Sequence, residues 1–249
     1  MPRPEPISFV KATLRRAGRN AAQLFFPSLC IACGGPCPAE NLWLCAACES
    51  RLVKNHNDRD PCPLCAQDRR STMCACEYAW DFPFDRIYSI FDFDDLVKQI
   101  AHAFKYAGLK RLSFYMGRSF ARFVPTDFWD GMDVVVPVPL HFLRALSRGY
   151  NQAEHFADGI VRSGAVRVEL CRHALQRRRP TKTQTALSKD LRLKNMAGAF
   201  RVTRPDLVRD KGVVLVDDIV TTGATTSQCA HALLDAGAKL VRVLSMARD

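Results

Sequence analysis

The stretch VVLVDDIVTTGATTS, residues 213–227, sets the fold class. Val213, Val214, Leu215 and Val216 are an apolar, mostly β-branched run without polar alternation, the pattern of a short strand buried on both faces. Asp217 and Asp218 follow, then Ile219 and Val220. The hydroxyl- and glycine-rich turn Thr221-Thr222-Gly223-Ala224-Thr225-Thr226 comes next and leads straight into an amphipathic helix. At this strand-turn-helix corner Gly223 lets the backbone come close to a ligand. Successive N–H groups at the helix start converge on a negative group, and the threonine hydroxyls add donors. The two carboxylates cannot serve the same anion. They must face something else, such as sugar hydroxyls or a metal-bound diphosphate.

A hydrophobic run, two acids, two variable residues and then TTG-x-T resembles the phosphoribosyl-diphosphate loop of type I phosphoribosyltransferases. The resemblance implies an α/β domain with a mostly parallel sheet flanked by helices. It also implies that Asp217 and Asp218 contact ribose hydroxyls while Thr221, Thr222, Gly223, Ala224, Thr225 and Thr226 wrap a 5′-phosphate, with magnesium accompanying the diphosphate.

The chain has 249 residues, enough for one such domain plus a small module. No apolar run approaches the roughly 20 residues needed to cross a bilayer. The N-terminus lacks the compact apolar stretch of a secretory signal, so a cytoplasmic protein is expected. Residues 1–24 are expected to be a helical segment, 25–80 a cysteine-rich zinc-binding module, and 81–249 the phosphoribosyltransferase-like domain.

Nine of the eleven cysteines lie between Cys30 and Cys76. Clustering in close pairs within a chain of cytoplasmic character points to metal rather than disulfides. The pairs are Cys30/Cys33, Cys45/Cys48, Cys62/Cys65 and Cys74/Cys76. Two CxxC knuckles close a tetrahedral S4 site suited to zinc, so eight cysteines fill two sites. Sequential pairing puts Cys30, Cys33, Cys45 and Cys48 in one site and the later four in the other; a cross-braced pairing satisfies the same spacing. Cys74-x-Cys76 is one residue short of a usual knuckle, and Cys37 is a rival ligand beside the first site. Neither site shows an open position, so the expected role of zinc is structural, in a small zinc-ribbon-like module that depends on its metal to fold.

Net charge is +11 and unevenly placed: residues 141–201 hold 13 Lys/Arg against 4 Asp/Glu, a local +9. A basic concentration beside a phosphate site suggests a polyanionic ligand, either a diphosphate or a nucleic acid. Arg86–Phe91 reads as a first strand, followed by a helix from Leu96 that Gly108 stops and that carries Lys105 near its end. A second helix uses Leu112, Met116, Phe120 and Phe123. Val134–Val136 is a buried strand leaving through Pro137 and Pro139 into a loop with Arg144, Arg148, Tyr150, Asn151 and Gln152. Arg144 and Arg148, four apart, can address one anion with forked donors suited to diphosphate oxygens, and Lys105 is a further candidate phosphate contact. Open α/β sheets bind ligands beyond the carboxyl ends of their strands, so this loop and the TTGAT turn should share one crevice. Arg177–Thr185 has no apolar period and reads as a mobile basic loop. A last strand runs from Leu240 to Ala247.

The order of cysteine pairs, Phe104-Lys105-Tyr106, VPVPL, RGYNQAE at 148–154 and VDDIVTTGAT resembles the ComF (competence protein F) family over nearly the whole length from Cys30. That resemblance implies phosphoribosyl-diphosphate binding and a part in natural transformation. Imported single-stranded DNA is there handled on the cytoplasmic side, with DNA-uptake proteins as partners. Two functions follow. One is a glycosyltransferase of the phosphoribosyltransferase type whose acceptor the sequence does not define. The other is a non-catalytic single-stranded-DNA-binding or scaffold protein that keeps the ligand site as a switch or vestige.

Overall fold

The computed structural model describes residues 28–38, 41, 43–70, 74, 76, 82–106, 109–140, 149–178 and 198–249; the side chains of 105 and 106 lie outside that description. Residues 1–24, expected to be helical, lie outside it as well. The chain divides into two compact units, 1–54 and 55–249. The division falls after the first cysteine quartet, so the second quartet belongs to the same unit as the sheet.

In the first unit, Cys30 N–H donates to the Gly35 carbonyl (2.7 Å) and Gly34 N–H to the Cys30 carbonyl (2.8 Å), with Gly34 left-handed at φ +71°. That tight turn is the knuckle. Asn41 Oδ1 accepts from Trp43 N–H (3.1 Å) and Leu44 N–H (3.2 Å), leading into helix α1 (Ala46–Asn57). Leu44 and Leu52 are fully buried, a minimal apolar core.

The second unit is built on a five-stranded, all-parallel sheet of order β1-β7-β6-β2-β3. Its strands are β1 (Ile87–Asp92), β2 (Val134–Pro137), β3 (Glu169–Leu170), β6 (Gly212–Val220) and β7 (Leu240–Arg248). Helices α2 (Asp95–Tyr106) and α3 (Lys110–Phe120) connect β1 to β2. Helix α4 (Gln152–Val161) connects β2 to β3, and α5 (Ala224–Asp235) connects β6 to β7. A separate antiparallel pair, β4 (Leu175–Arg177) with β5 (Phe200–Val202), lies between β3 and β6 in sequence. The expected parallel α/β architecture therefore holds.

Burial follows periodicity. β2 is buried at all four positions and β6 from Gly212 to Val216, as strands covered on both faces must be. On α3 the buried stripe is Leu112, Ser113, Met116, Gly117 and Phe120, and on α4 it includes Ala153, Phe156 and Ile160. These two helices cross closely. A Cβ on Gly117 would lie 2.1 Å from the Phe156 carbonyl oxygen, and one on Gly159 would lie 2.2 Å from that of Phe114. Each helix therefore offers a glycine where the partner backbone passes, and any side chain there would force the pair apart.

Two sequence-based boundaries shift. The strand expected at Val213–Val216 continues to Val220, because Asp217, Ile219 and Val220 keep pairing with Ser245, Ala247 and Arg248 of β7. Arg177, expected in a loop, is on β4 opposite Phe200, with its guanidinium 5.4 Å from that ring. Residues 179–185 of the expected basic loop lie outside the described residues.

Candidate functional site

Beyond β2 the chain turns through α4 to β3 on one side, and beyond β6 it turns through α5 to β7 on the other. The β2/β6 boundary is thus the point where connections diverge, and parallel sheets bind ligands outside the carboxyl ends of the strands at such a point. The two strands are in register there, Pro137 opposite Val216, and Val138 N–H extends the pairing to the Val216 carbonyl (2.8 Å).

At the end of β6, Thr221 to Thr226 with Asp217, Ile219 and Val220 line a hollow of about 40 Å³. One water-sized centre needs on the order of 10–15 Å³, so the hollow admits a group of a few heavy atoms. Gly223 caps α5 in the left-handed region (φ +75°), with no side chain to occupy the helix start. The first intrahelical bond is Ser227 N–H to the Gly223 carbonyl (2.8 Å), so the N–H groups of Ala224, Thr225 and Thr226 precede it at the helix mouth, that of Ala224 making a long bond to Thr222 Oγ1 (3.4 Å). Thr226 Oγ1 donates to the Gly223 carbonyl (2.9 Å), which locks the turn. Backbone donors, hydroxyls and the positive end of a helix dipole make this an anion cradle.

The acid pair is held by its own backbone. Asp217 Oδ1 accepts from Asp218 N–H and Asp218 Oδ1 from Ile219 N–H, both at 2.9 Å. Because β6 remains a strand here, consecutive side chains leave on opposite faces. Asp217 lines the hollow and Asp218 does not. Beneath the turn Cys229 is fully buried; burial, and then the Asp217 charge, push its thiol well up, so it stays a neutral packing group.

Arg144 and Arg148 lie outside the described residues, as does the side chain of Lys105. The remainder of the RGYNQ motif is described, and its role is structural. Asn151 caps α4 by accepting from Ala153 N–H (3.1 Å) while its Nδ2 donates to the Val138 carbonyl (3.0 Å). Tyr150 Oη and Gln152 Nε2 both donate to the Phe104 carbonyl, the latter at 3.4 Å. Those residues tie the end of α2 to the start of α4 and to the exit of β2.

The cysteines gather as two quartets, Cys30/Cys33/Cys45/Cys48 and Cys62/Cys65/Cys74/Cys76, with all four sulfurs of each within 4.8 Å of one another. This is the sequential arrangement, not the cross-braced one, and Cys37 is in neither. A tetrahedral zinc–thiolate site with bonds of ~2.3 Å has sulfur–sulfur edges of about 3.8 Å. Cys33 and Cys45 Sγ are 3.6 Å apart, and Cys65 and Cys74 Sγ are 3.2 Å apart, so both quartets fit a zinc module. Burial opposes ionisation at Cys30, but backbone N–H groups of Cys45, Ala32 and Cys33 bring it down to about 6. Burial, and then repulsion from Cys30, Cys45 and Cys33, push Cys37 up to about 11.

The second knuckle repeats the first. Cys62 N–H donates to the Gln67 carbonyl (2.8 Å), Ala66 N–H donates to the Cys62 carbonyl (2.9 Å), and Ala66 takes the left-handed φ (+60°) that Gly34 takes in the first. Arg59, with its side chain 2% exposed, docks this segment on the sheet. It pairs with Asp92 at 3.1 Å and donates to the carbonyls of Ser89 and Ala66. Leu64 accepts from Ile87 N–H (2.8 Å). No helix among the described residues is long and apolar enough to cross a membrane.

This sheet and anion cradle define the phosphoribosyl transferase class: residues 109–249 match the phosphoribosyl transferase domain family, and the chain belongs to it. Its relatives include the DNA utilization protein YhgH of Escherichia coli (strain K12), 29% identical over 231 residues that cover 90% of this chain and 99% of the relative. Competence protein F of Haemophilus influenzae is 25% identical over 239 residues, covering 90% and 98%. Competence protein ComFC of Bacillus subtilis (strain 168) is 26% identical over 201 residues, covering 78% and 79%. The resemblance to the ComF family drawn from RGYNQAE and VDDIVTTGAT therefore holds.

Proposed function

We propose that the crevice beyond β2 and β6 binds phosphoribosyl diphosphate as its magnesium complex, and that the chain serves natural competence in the cytoplasm by acting on or near incoming single-stranded DNA. The hollow formed by Thr221–Thr226 and Asp217 at the mouth of α5 carries the ligand reading. In it the N–H groups of Ala224, Thr225 and Thr226 and the hydroxyls of Thr221, Thr222 and Thr225 take the 5′-phosphate. Asp217 takes a ribose hydroxyl from the wall of the hollow, Asp218 supports that corner from the other face of β6 through its bond from Ile219 N–H, and Arg144, Arg148 and Lys105 neutralise the diphosphate. The names of the relatives support the competence role. Both cysteine quartets hold structural zinc.

If the chain is a transferase, the C1–oxygen bond to diphosphate breaks as an acceptor nucleophile bonds to C1, through a ribosyl centre of positive character. The protein then contributes positioning and charge stabilisation. The net +9 of residues 141–201 favours a second reading, in which that segment grips a DNA backbone and the ligand acts as a switch without turnover.

Calorimetry with magnesium phosphoribosyl diphosphate, repeated after adding single-stranded DNA, tests both. A silent first titration overturns the ligand reading. Binding without diphosphate release, together with steeply salt-dependent DNA affinity, selects the second reading over the transferase.

A further inference from the structure

Arg248, the last residue of β7, sits between the second cysteine quartet and the phosphate turn. Its backbone is fixed from both sides: it is in register with Val220, Asp249 N–H donates to the Val220 carbonyl (3.0 Å), and its own carbonyl accepts from Phe93 N–H (3.1 Å). From there its Nη1 donates to the carbonyl of Thr221, the first residue of the turn. On its other side Arg248 is in register with Asp92, the partner of Arg59, which also donates to the Ala66 carbonyl of the second knuckle; its Nε is buried with no hydrogen-bond partner among the described residues. Burial pulls its pKa down, and the charges of Cys65, Cys76, Asp249 and Cys74 act against that. A second contact runs the same way. Phe82, six residues past Cys76, puts its ring over Gly223 of the turn.

Four thiolates around a divalent ion carry a net double negative charge, and such centres are held by donors aimed at their sulfurs. Arginine suits this place because five N–H groups in a planar fork can serve a carbonyl and a sulfur at once, which an ammonium on a flexible stem does less well.

We propose that Arg248 is a positioning residue that couples the second cysteine site to the phosphate turn, so that a filled metal site holds Thr221–Thr226 in ligand-binding shape. The proposal rests on the phosphate-turn and zinc readings above. Linkage requires reciprocity: ligand on the turn must hold the metal by the same factor that the metal tightens the ligand.

The test uses the full-length zinc-loaded protein. The rate of zinc transfer to a chromogenic chelator is followed with and without saturating magnesium phosphoribosyl diphosphate. The second-site phase is assigned as the one missing from Cys76→Ser. Ligand affinity is measured by calorimetry for wild type, Arg248→Met and Arg248→Lys. We expect ligand to slow the second-site phase at least fivefold in wild type and not in Arg248→Met. Arg248→Met should bind about tenfold more weakly while keeping its first-site zinc, and Arg248→Lys should recover part of the loss. Wild type that binds ligand with no change in zinc release overturns the coupling, and so does Arg248→Met with wild-type affinity. The wild-type release experiment decides the matter even if Arg248→Met does not fold. A wild type silent in calorimetry instead removes the ligand reading, and the coupling with it.

Discussion

The ring of Phe82 closes over Gly223: a Cβ on Gly223 would stand 3.0 Å from Phe82 Cε1, and the glycine is left-handed at φ +75°. Two separate effects therefore exclude a side chain there. The αL conformation costs an L-residue roughly 1–2 kcal/mol, and the aromatic edge adds a contact tighter than van der Waals. Gly223→Ala should destabilise the domain by about 2 kcal/mol in urea titrations and weaken ligand binding. Adding Phe82→Ala should relieve the clash and leave the conformational cost. If the double variant is no better than the sum of the single ones, Phe82 does not press on the turn.

Stability should fall on mild acidification because of His56. Its ring stacks on Phe123 (4.3 Å between centroids, 9° between planes) and faces Phe91 edge-on, while Nδ1–H donates to the Ile90 carbonyl at 2.8 Å. Burial lowers its pKa from 6.5, and burial lowers that of His155 as well. A depressed pKa means that the unfolded chain takes up protons first. The stability is therefore whole above pH ~6.5 and drains away as pH drops through the folded-state value. Urea midpoints should decline between pH 7 and pH 5.5, and His56→Gln should flatten that slope. A midpoint independent of pH across this range would show that His56 is freely solvated.

Much of the sheet was legible because strands and helices with one long apolar period announce themselves: β1, α2, α3, β2, α4, α5 and β7 all follow from spacing. The three-residue β4 and two-residue β3 are too short to show a period and form only because partners exist elsewhere in the chain. Asn151 and Gln152 read only as polar members of the loop after β2; one caps α4 and the other, 1% exposed, holds the Phe104 carbonyl, roles set by partners that spacing does not reveal. Arg59 and Arg248 carried no local signal at all. Their importance lies in what is packed around a long side chain, and that depends on residues more than 20 positions away.

Zinc content should resolve into two atoms per chain. Cys33→Ser should remove one and Cys74→Ser the other, measured by elemental analysis against protein mass. The consequences should differ. Among the described residues of the first unit few apolar side chains beyond Leu44 and Leu52 are fully buried, so this segment leans on a metal whose binding is worth roughly 10–16 kcal/mol in comparable small modules. Limited proteolysis of Cys33→Ser should therefore cut within residues 28–54 while residues 82–249 survive. The loss at Cys74→Ser should be milder, since Arg59 and the Leu64–Ile87 hydrogen bond still hold the second knuckle. A single zinc per wild-type chain would refute the pairing into two quartets.

Arg59→Met should cost about 3 kcal/mol. Its methylene stem is replaceable, but Asp92 would keep a carboxylate that is only 29% exposed and has lost its cation. Burial already raises the pKa of Asp92, and Arg59 is the main influence opposing it. Adding Asp92→Asn to Arg59→Met removes the stranded charge and should recover stability. The unfolding free energies of the two single variants and the double variant form a cycle that isolates the pair from the loss of packing.

Asp217 and Asp218 should prove unequal. Asp217 lines the hollow beside Thr221–Thr226 and Asp218 leaves the strand on its other face, so only Asp217 sets its charge against a group bound in the turn. A carboxylate in the wall of an anion site repels phosphate, which is tolerable only if it gains something from the rest of the ligand. Asp217→Asn should therefore bind inorganic phosphate as well as or better than wild type. The same variant should bind magnesium phosphoribosyl diphosphate at least about tenfold more weakly, the loss of a charged hydrogen bond to a ribose hydroxyl being worth about 1.5–3 kcal/mol. Asp218→Asn should leave phosphate affinity unchanged. Competition calorimetry with the two ligands separates these outcomes. Equal losses for both ligands in Asp217→Asn would mean that the carboxylate serves to shape the end of β6, through its bond to Asp218 N–H, and not to meet the sugar.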